Sequence, residues 1–266
     1  MTNADKGQVI GSAAEIYEQF FVPALFIDWP QHIIRLSNIQ PGQKVLDVAC
    51  GTGVLARSIA ERVGSSGTVF GLDVNPGMLT VAARQNDNVI WREGRAEALP
   101  FDTASFDAVV SQFGLMFFED RRATIAEMAR VLKPGGSLAV AVWDTLENTP
   151  GYAAMADLLQ RLFGKDVADA IRAPYNLGDT EQLHELFTDA PLSDLTIHTL
   201  EGTARFPSID DWVFTDIKGW VLADVLDDQQ VDHLLQAARK EMARFVGEDG
   251  RVTFSASAHI VTAKRA

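Results

Sequence analysis

The residues best suited to chemistry lie at 45–53, which read VLDVACGTG: an apolar run with one acid, Asp47, ends at two glycines that flank a threonine. Gly51 and Gly53 would let the backbone turn tightly and approach a ligand without a Cβ in the way. The helix predicted after them would present unpaired N–H groups and a partial positive charge. The loop is therefore predicted to hold a nucleotide-like cofactor.

Two cofactor classes fit this loop. Gly51, Gly53 and Ala56 match the spacing of the dinucleotide fingerprint. Asp73 follows Gly53 by twenty residues, where a ribose-binding acid would lie in a nicotinamide-dependent oxidoreductase. Asp47 favours another class of cofactor. A negative charge beside the loop would not help to bind an anionic pyrophosphate, but it would attract a ligand that carries an ammonium and a sulfonium group.

Alternating strands and helices are predicted around the loop. Apolar runs indicate strands at 44–49, 68–74, 88–93, 106–111 and 137–143, and helical periodicity indicates helices at 54–63, 76–85 and 120–132. Asn75 is the expected N-cap of the second helix, with Pro76 at its first position. Strands that alternate with helices predict a parallel sheet with right-handed crossovers, and continuous apolar strands indicate helices on both faces.

The rest of the chain is predicted as helices and two strands. Helices are expected over 13–38 with breaks near Pro23 and Pro30, over 146–190 with breaks at Gly164 and Pro174, over 208–246, and strands over 192–206 and 251–263. Phe113 and residues 115–118 form an apolar stretch that needs cover. Either the later helices simply pack on it, or they form a lid that shares an apolar substrate pocket with it. Aromatic residues expected to line such a pocket are Phe206, Trp212, Phe214 and Trp220.

Composition limits the class of protein. The 266 residues are 47% hydrophobic and 22% charged, which is typical of one large globular domain with insertions. A formal net charge of -13 argues against partners such as nucleic acid or anionic lipid. The single cysteine, Cys50, favours a reducing cytoplasm. The sequence has no apolar leader and no long apolar run, so we expect the protein neither to be secreted nor to span a membrane.

Five motifs follow one another along the first half of the chain. They are VLDVACGTG, GLDVNPGML at 71–79, GRAEALPF at 94–101, FDAVVSQFGLMFF at 106–118 and EMARVLKPGGSLAVAVW at 127–143. This ordered set resembles class I S-adenosylmethionine (SAM) dependent methyltransferases over roughly residues 15–143. It is most similar to the branch of ubiquinone and menaquinone C-methyltransferases and other small-molecule methyltransferases. The resemblance weakens from residue 146 onward, where this family selects its substrate.

The resemblance implies a fold and a set of binding residues. The fold class is α/β, with a Rossmann-like seven-stranded, mostly parallel sheet, helices on both faces and helical lid insertions. Asp47 would meet the methionine ammonium, and Asp73 would accept hydrogen bonds from both ribose hydroxyls. The other implied contacts are Ala49, Gly51 and Gly53 along the methionine and ribose, Val74 and Met78 over adenine, the backbone of Ala96 at the adenine edge, and Gln112 with Phe113 beside the transferable methyl group.

One position departs from the family pattern. Many relatives have Asp before the Ala-Glu pair, where this chain has Arg95. The adenine amino group and the guanidinium are both donors, so Arg95 cannot replace that acceptor. Glu97, a backbone carbonyl or water would accept instead, and Arg95 would stack or pair with a nearby acid.

Methyl transfer from SAM is an in-line displacement, so the protein mainly aligns the reactants, and a base is needed only for a protonated nucleophile. No obligatory catalytic side chain is identified. Tyr17 is the catalytic candidate, because it lies on the helix that covers the SAM site in relatives. The alternative is that Tyr17 is an aromatic residue that only packs in the core. Trp29 and Trp143 are expected to wall the site or to pack in the core. Glu18 and Asp144 are expected to be solvated. The five histidines have no ligand-like spacing, so they are expected at the surface and no metal is predicted.

The sequence thus predicts a single methyltransferase domain over 1–266. Its parts are a helical cap at 1–40, a SAM-binding core at 41–145, helical lid segments at 146–190 and 207–247, and C-terminal strands at 191–206 and 251–264. The predicted enzyme methylates a small apolar or aromatic metabolite, as a monomer or homodimer, with the acceptor atom left open. The alternatives are a nicotinamide-dependent oxidoreductase and a SAM-binding regulatory protein without activity.

Overall fold

The computed structural model describes residues 11–86, 88–218 and 225–266. The strands in these ranges are β1 (Lys44–Val48), β2 (Thr68–Asp73), β3 (Val89–Glu93), β4 (Phe106–Gln112), β5 (Leu132–Trp143), β6 (Leu192–Leu200), β7 (Thr203–Phe206), β8 (Val252–Ser255) and β9 (Ala258–Arg265). Seven of them form one sheet in the order β3-β2-β1-β4-β5-β9-β6, and β7 pairs with β8 separately. Strands β1 to β5 are parallel to one another, whereas β9 is antiparallel to both β5 and β6. The predicted fold class is confirmed.

Helices cover the sheet. They are α1 (Gly11–Ile16), α2 (Trp29–Leu36), α3 (Val54–Val63), α4 (Pro76–Gln85), α5 (Arg121–Val131), α6 (Pro150–Phe163), α7 (Lys165–Arg172), α8 (Thr180–Glu185), α9 (Ile209–Lys218) and α10 (Asp228–Glu241), with a π-helix at Tyr17–Phe26. Helix α3 occupies the predicted residues, and the Asn75 side chain caps α4 by accepting from the N–H groups of Gly77 and Met78. Among the described residues, no helix is long and apolar enough to cross a bilayer.

The strand order reverses between β1 and β4. From β1 the sheet continues to β2 and β3 on one side and to β4 and β5 on the other. In open parallel sheets the crevice at such a reversal, beyond the carboxyl ends of the strands, is where ligands bind. The glycine loop follows β1 directly, so the sheet places it at this crevice.

Two local predictions were wrong near proline and glycine. Pro23 does not break the N-terminal helix but lies inside the π-helix, where the Ile27 N–H bonds to the Val22 carbonyl at 2.9 Å in the wider π turn. The fifth strand begins at Leu132 and not at residue 137 as predicted. Leu132 already pairs with Phe106, and residues 133–136 bulge out before pairing resumes at Ser137.

The two C-terminal segments predicted as long strands are each divided between two sheets. The first breaks between β6 and β7 at Gly202, and the second between β8 and β9. The Gly202 carbonyl accepts from the Ala256 N–H at 2.9 Å, which ties the two breaks together. A Cβ on Gly202 would lie 2.5 Å from the Trp29 ring, so close packing requires glycine where the chain leaves the main sheet.

Candidate active site

The glycine loop is open on the side where a ligand would lie. Gly51 and Gly53 both have left-handed backbones, with φ of +54° and +90°. A Cβ on Gly51 would have no described atom within 4 Å, whereas one on Gly53 would lie 2.4 Å from the Trp91 ring. Ala49 is also left-handed, at φ +58°, which is uncommon for a residue with a side chain. Gly51 therefore borders open space, and Gly53 is required by packing.

Asp73 at the end of β2 holds this loop. Its Oδ2 accepts a hydrogen bond from the Gly51 N–H at 2.8 Å, and its Oδ1 accepts from the Asn75 N–H at 2.9 Å. Burial raises the pKa of the Asp73 carboxyl, and the backbone N–H groups of Asn75, Gly51 and Val74 oppose that rise. A carboxylate offers about four lone-pair positions, so Asp73 retains capacity for two further donors such as ribose hydroxyls.

Asp47 is the least compensated polar group of the site. Its side chain is 1% exposed, and neither oxygen has a hydrogen-bond partner in the described part of the chain. Burial and the negative charge of Asp73 raise the pKa of Asp47 well above its usual range, although the nearby Ala56 N–H opposes them without an ordinary hydrogen bond. A buried acid without a partner is costly, and a cationic ligand would remove that cost.

The N-terminal π-helix brings two more side chains to the loop. Glu18 pairs with Arg57 of α3 at 2.7 Å, and Arg57 also donates to the Thr52 carbonyl at 2.5 Å. With 16% of its side chain exposed, Glu18 is not solvated as the sequence predicted, because the ion pair draws it against the glycine loop. Tyr17 packs on Phe26 with ring centroids 5.3 Å apart. Burial and the charges of Asp73 and Glu18 raise the Tyr17 pKa, so its hydroxyl stays protonated.

The residues expected at adenine follow the ends of β2 and β3, which are neighbours because Asp73 pairs with Glu93. Val74 is 42% exposed, and Met78 and Ala96 are buried. Arg95 lies 3.5 Å from a Glu97 oxygen and 3.2 Å from one of Glu119. Of the alternatives for Arg95, the structure shows pairing with acids.

Gln112 and Phe113 lie at the end of β4. The Gln112 Nε2 donates to the Phe26 carbonyl at 3.3 Å, while its Oε1 is buried and bonds to no described group. Phe113 is left-handed at φ +57° and stacks on Trp143 with centroids 3.9 Å apart. Phe26 and Trp29 contact both of these rings. We call Phe26, Trp29, Phe113 and Trp143 the aromatic wall, which is at once core packing and the boundary of the site.

The apolar stretch after β4 is covered by the chain itself. Leu115 and Met116 are buried, and the Met116 carbonyl accepts from the Asn176 side chain at 3.2 Å and from Arg121 at 2.9 Å. Among the aromatics expected to line a pocket, Phe206 and Trp212 stack in the core, Phe214 is 42% exposed and packs on Phe20, and Trp220 lies outside the described residues.

A buried His–Asp pair contradicts two surface predictions. His259 is 3% exposed, and its Nε2 lies 3.2 Å from Asp144 Oδ1 and 2.9 Å from the Gly178 carbonyl oxygen. Its Nδ1 lies 2.9 Å from the Thr199 hydroxyl. His259 is on the face of β9 opposite Ala258 and Ile260. That face is buried too, because β9 lies between β5 and β6.

Sequence reasoning also missed Asp216 and Tyr152. The Tyr152 hydroxyl donates to Asp216 Oδ1 at 2.9 Å, and both residues are buried. Asp216 lies on α9 and Tyr152 on α6, 64 residues apart in the chain. The signal that could have found Asp216 was an acid among apolar positions of a predicted amphipathic helix.

An open, mostly parallel sheet with a glycine loop and two acids at its strand-order reversal defines an α/β protein that binds a nucleoside cofactor. The unpartnered Asp47 carboxyl and the open space at Gly51 fit SAM, whose methionine end is cationic, better than they fit a dinucleotide whose pyrophosphate is anionic.

Comparisons with known proteins agree. Residues 45–136 match the family model described as "Methyltransferase domain". The chain is 34% identical to the demethylmenaquinone methyltransferase of Staphylococcus epidermidis over 188 residues, which cover 65% of this chain and 78% of that protein. It is also 34% identical to the ubiquinone/menaquinone biosynthesis C-methyltransferase of Chromobacterium violaceum over 208 residues, 73% of this chain and 84% of that one. A solved protein structure from Bacillus halodurans shares the fold, with a TM-score of 0.61 at 21% identity over 89% of this chain and 98% of that one.

The chain belongs to the SAM-dependent methyltransferase family that contains these C-methyltransferases. It is an enzyme that uses SAM for methyl transfer, as the sequence predicted. The comparisons support neither the oxidoreductase nor the regulatory protein without activity.

Proposed function

We propose that this chain transfers the SAM methyl group to a small, largely apolar or aromatic acceptor of the quinone type. The observation that carries the cofactor half of the proposal is the buried, unpartnered Asp47 beside the open loop. The acceptor half is supported by the aromatic wall at the ends of β4 and β5 and by the relatives, which are named for demethylmenaquinone and ubiquinone/menaquinone biosynthesis. The single cysteine is consistent with action in the cytoplasm.

Ten residues are proposed to hold SAM. Asp47 faces the methionine ammonium, and Asp73 accepts from the ribose hydroxyls. Hydrogen bonds to a charged acceptor contribute about 1.5–3 kcal/mol each. The remaining contacts are Ala49, Gly51 and Gly53 along the methionine and ribose, Val74 and Met78 over adenine, Ala96 and Glu97 at the adenine edge, and Gln112 near the methyl group. Arg95 lies 3.5 Å from one Glu97 oxygen and leaves the other unpaired by this contact, so Glu97 and the Ala96 backbone both stay candidates for reading adenine.

SAM, when bound, supplies a methyl group on a sulfonium that is a good leaving group. The chain's own task is alignment, which can supply about 7–11 kcal/mol. Gln112 is fixed by its bond to the Phe26 carbonyl, which links the end of β4 to the π-helix. Tyr17 remains the catalytic candidate, and its raised pKa makes it a hydrogen-bond donor at neutral pH, unsuited to removing a proton.

The proposed division keeps a cap at 1–40, a SAM-binding core at 41–145 and lid segments at 146–190 and 207–247. The Glu18–Arg57 pair supports the cap, because it fastens the π-helix to the glycine loop. The bonds to the Met116 carbonyl support the lid, because Asn176 lies on the lid side and Arg121 on the core side.

Two measurements test this function. Calorimetry with SAM, S-adenosylhomocysteine (SAH) and NAD should show binding of the first two, weakened by Asp47→Asn and not by Asp232→Asn, an exposed acid on α10 that serves as control. Incubation with methyl-labelled SAM and a panel of naphthols, hydroquinones and non-aromatic alcohols should label aromatic acceptors. Transfer of label to the non-aromatic alcohols alone would overturn the proposed acceptor class.

A further inference from the structure

A small cavity lies between the aromatic wall and the proposed lid. It is bounded by Phe26 and Trp143 of the wall, Tyr152 of α6, Tyr175 of the turn after α7 and Asp216 of α9, and its volume is about 20 Å³. A cavity of that size has room for about one water-sized group. Four of the nine lining residues are aromatic and four are aliphatic, so the Asp216 carboxyl is the lone acid in a largely apolar cavity.

The Asp216 carboxyl is half satisfied. Its side chain is 2% exposed, and Oδ1 accepts from the Tyr152 hydroxyl at 2.9 Å. Oδ2 has no hydrogen-bond partner within residues 11–86, 88–218 and 225–266. The Trp212 indole N–H, one turn earlier on α9, lies close enough to oppose the rise of the Asp216 pKa, but it forms no hydrogen bond of ordinary geometry. A buried polar atom without a partner is uncommon and costs about 1–3 kcal/mol.

The aromatic wall connects the cavity to the proposed methyl position. Phe26 lines it on one side and accepts the Gln112 hydrogen bond through its backbone. Trp143 lines it as well and stacks on Phe113, the neighbour of Gln112. The aromatic wall therefore lies between the cavity that holds the Asp216 carboxyl and the end of β4.

We propose that Asp216 determines acceptor specificity by binding the oxygen substituent of an aromatic ring, with Tyr152 fixing its carboxyl and the aromatic wall contacting the ring. This inference rests on the proposed aromatic acceptor. In the closed arrangement the cavity admits only the oxygen-sized part of such a ligand, so the ring enters when the lid segments move away from the wall.

Electrostatics agree with this geometry. Burial raises the pKa of Asp216 to about 8, so its neutral form predominates at pH 7 and can both donate to and accept from a ring oxygen. The titratable groups that face it are Tyr152 and Tyr175. Burial raises the pKa of both phenols as well, so both stay uncharged and protonated.

The test compares two probes of similar shape, 1-naphthol and naphthalene, on the full chain saturated with SAH. Binding is followed by quenching of tryptophan fluorescence, to which Trp143 contributes from the cavity wall. The wild type should bind 1-naphthol about tenfold more tightly than naphthalene, as expected for one hydrogen bond to a buried carboxyl. The double variant Tyr152→Phe/Asp216→Leu removes both polar partners at similar volume and should bind the two probes alike, with SAH affinity unchanged.

The conservative Asp216→Asn variant should recover part of the preference for 1-naphthol, which a purely structural role would not produce. The same tenfold preference in wild type and double variant would overturn the role of Asp216 while leaving the aromatic acceptor intact. Failure of the wild type to bind either probe would overturn both the inference and the proposed acceptor class. SAH affinity is measured on each protein, so a variant that has lost its fold is recognised by its loss of SAH binding. If the double variant is unfolded, the preference of Asp216→Asn for 1-naphthol over naphthalene tests the role of Asp216.

Discussion

The Asp73 carboxylate and the Gly51 backbone are joined by a hydrogen bond of 2.8 Å. It links the end of β2 to the loop after β1, so the acid proposed for the ribose also fixes the backbone proposed for the methionine. The two halves of the cofactor site are therefore set in place together.

Asp73→Ala should weaken SAH binding by at least about tenfold, because it removes a charged acceptor and the support of Gly51. Asp73→Asn should lose less SAH affinity than Asp73→Ala, since its amide oxygen can still accept a hydrogen bond from the Gly51 N–H. Calorimetry with SAH measures both variants, and Asp232→Asn on the surface of α10 is the control. Equal affinity in Asp73→Ala and wild type would remove Asp73 from the proposed site.

Alanine at the two glycines of the loop should have different effects. Gly51→Ala places its Cβ in open space, so the main expected loss is SAH affinity, with a backbone cost of about 1–2 kcal/mol for the left-handed residue. Gly53→Ala adds a clash with Trp91 and should lower the unfolding free energy by more. Urea unfolding and SAH calorimetry on both variants separate the effects. Similar unfolding free energies for the two would contradict the assignment of Gly53 to packing.

The first half of the fold could be read from the sequence because local signals and tertiary structure agree there. Asn75, Pro76 and the glycines at the helix ends act within a few residues of one another, so the pattern locates α3 and α4. The C-terminal half depends on distant partners. The break at Gly202 follows from its bond with Ala256 and from the Trp29 ring, which no local pattern encodes.

The candidate site divides in the same way. Asp47, Gly51 and Asp73 belong to motifs with fixed spacing, so sequence could propose them together. Glu18 and His259 were expected in water because charged and imidazole side chains usually are. Their burial depends on Arg57 and Asp144, partners that only the folded chain supplies.

SAM binding should release protons from Asp47. Burial and Asp73 raise the pKa of Asp47 in the ligand-free protein, whereas a cationic ligand favours its charged form and lowers that pKa. SAM affinity should therefore increase with pH until Asp47 is ionised without ligand. Calorimetry in two buffers of different ionisation enthalpy measures the protons released, and Asp47→Asn should release fewer. Identical proton release in the two proteins would show that another group titrates.

Asp216 should make the folded protein less stable as pH rises. Its pKa is about 8 in the fold and about 3.9 in an unfolded chain, so between these values the unfolded state binds fewer protons. The contribution of Asp216 to the stability of wild type is then greatest below about pH 4 and is lost as pH rises through 8, by at most about 1.4 kcal/mol per unit. Asp216→Asn cannot titrate at this position. The unfolding free energy of the variant minus that of wild type should therefore increase between pH 5 and pH 8, by up to a few kcal/mol. Urea unfolding at both pH values measures this, and the exposed Asp232→Asn should show a far smaller change. Parallel pH curves for wild type and Asp216→Asn would mean that Asp216 is already ionised at pH 5, and its place as a neutral donor in the cavity would be lost.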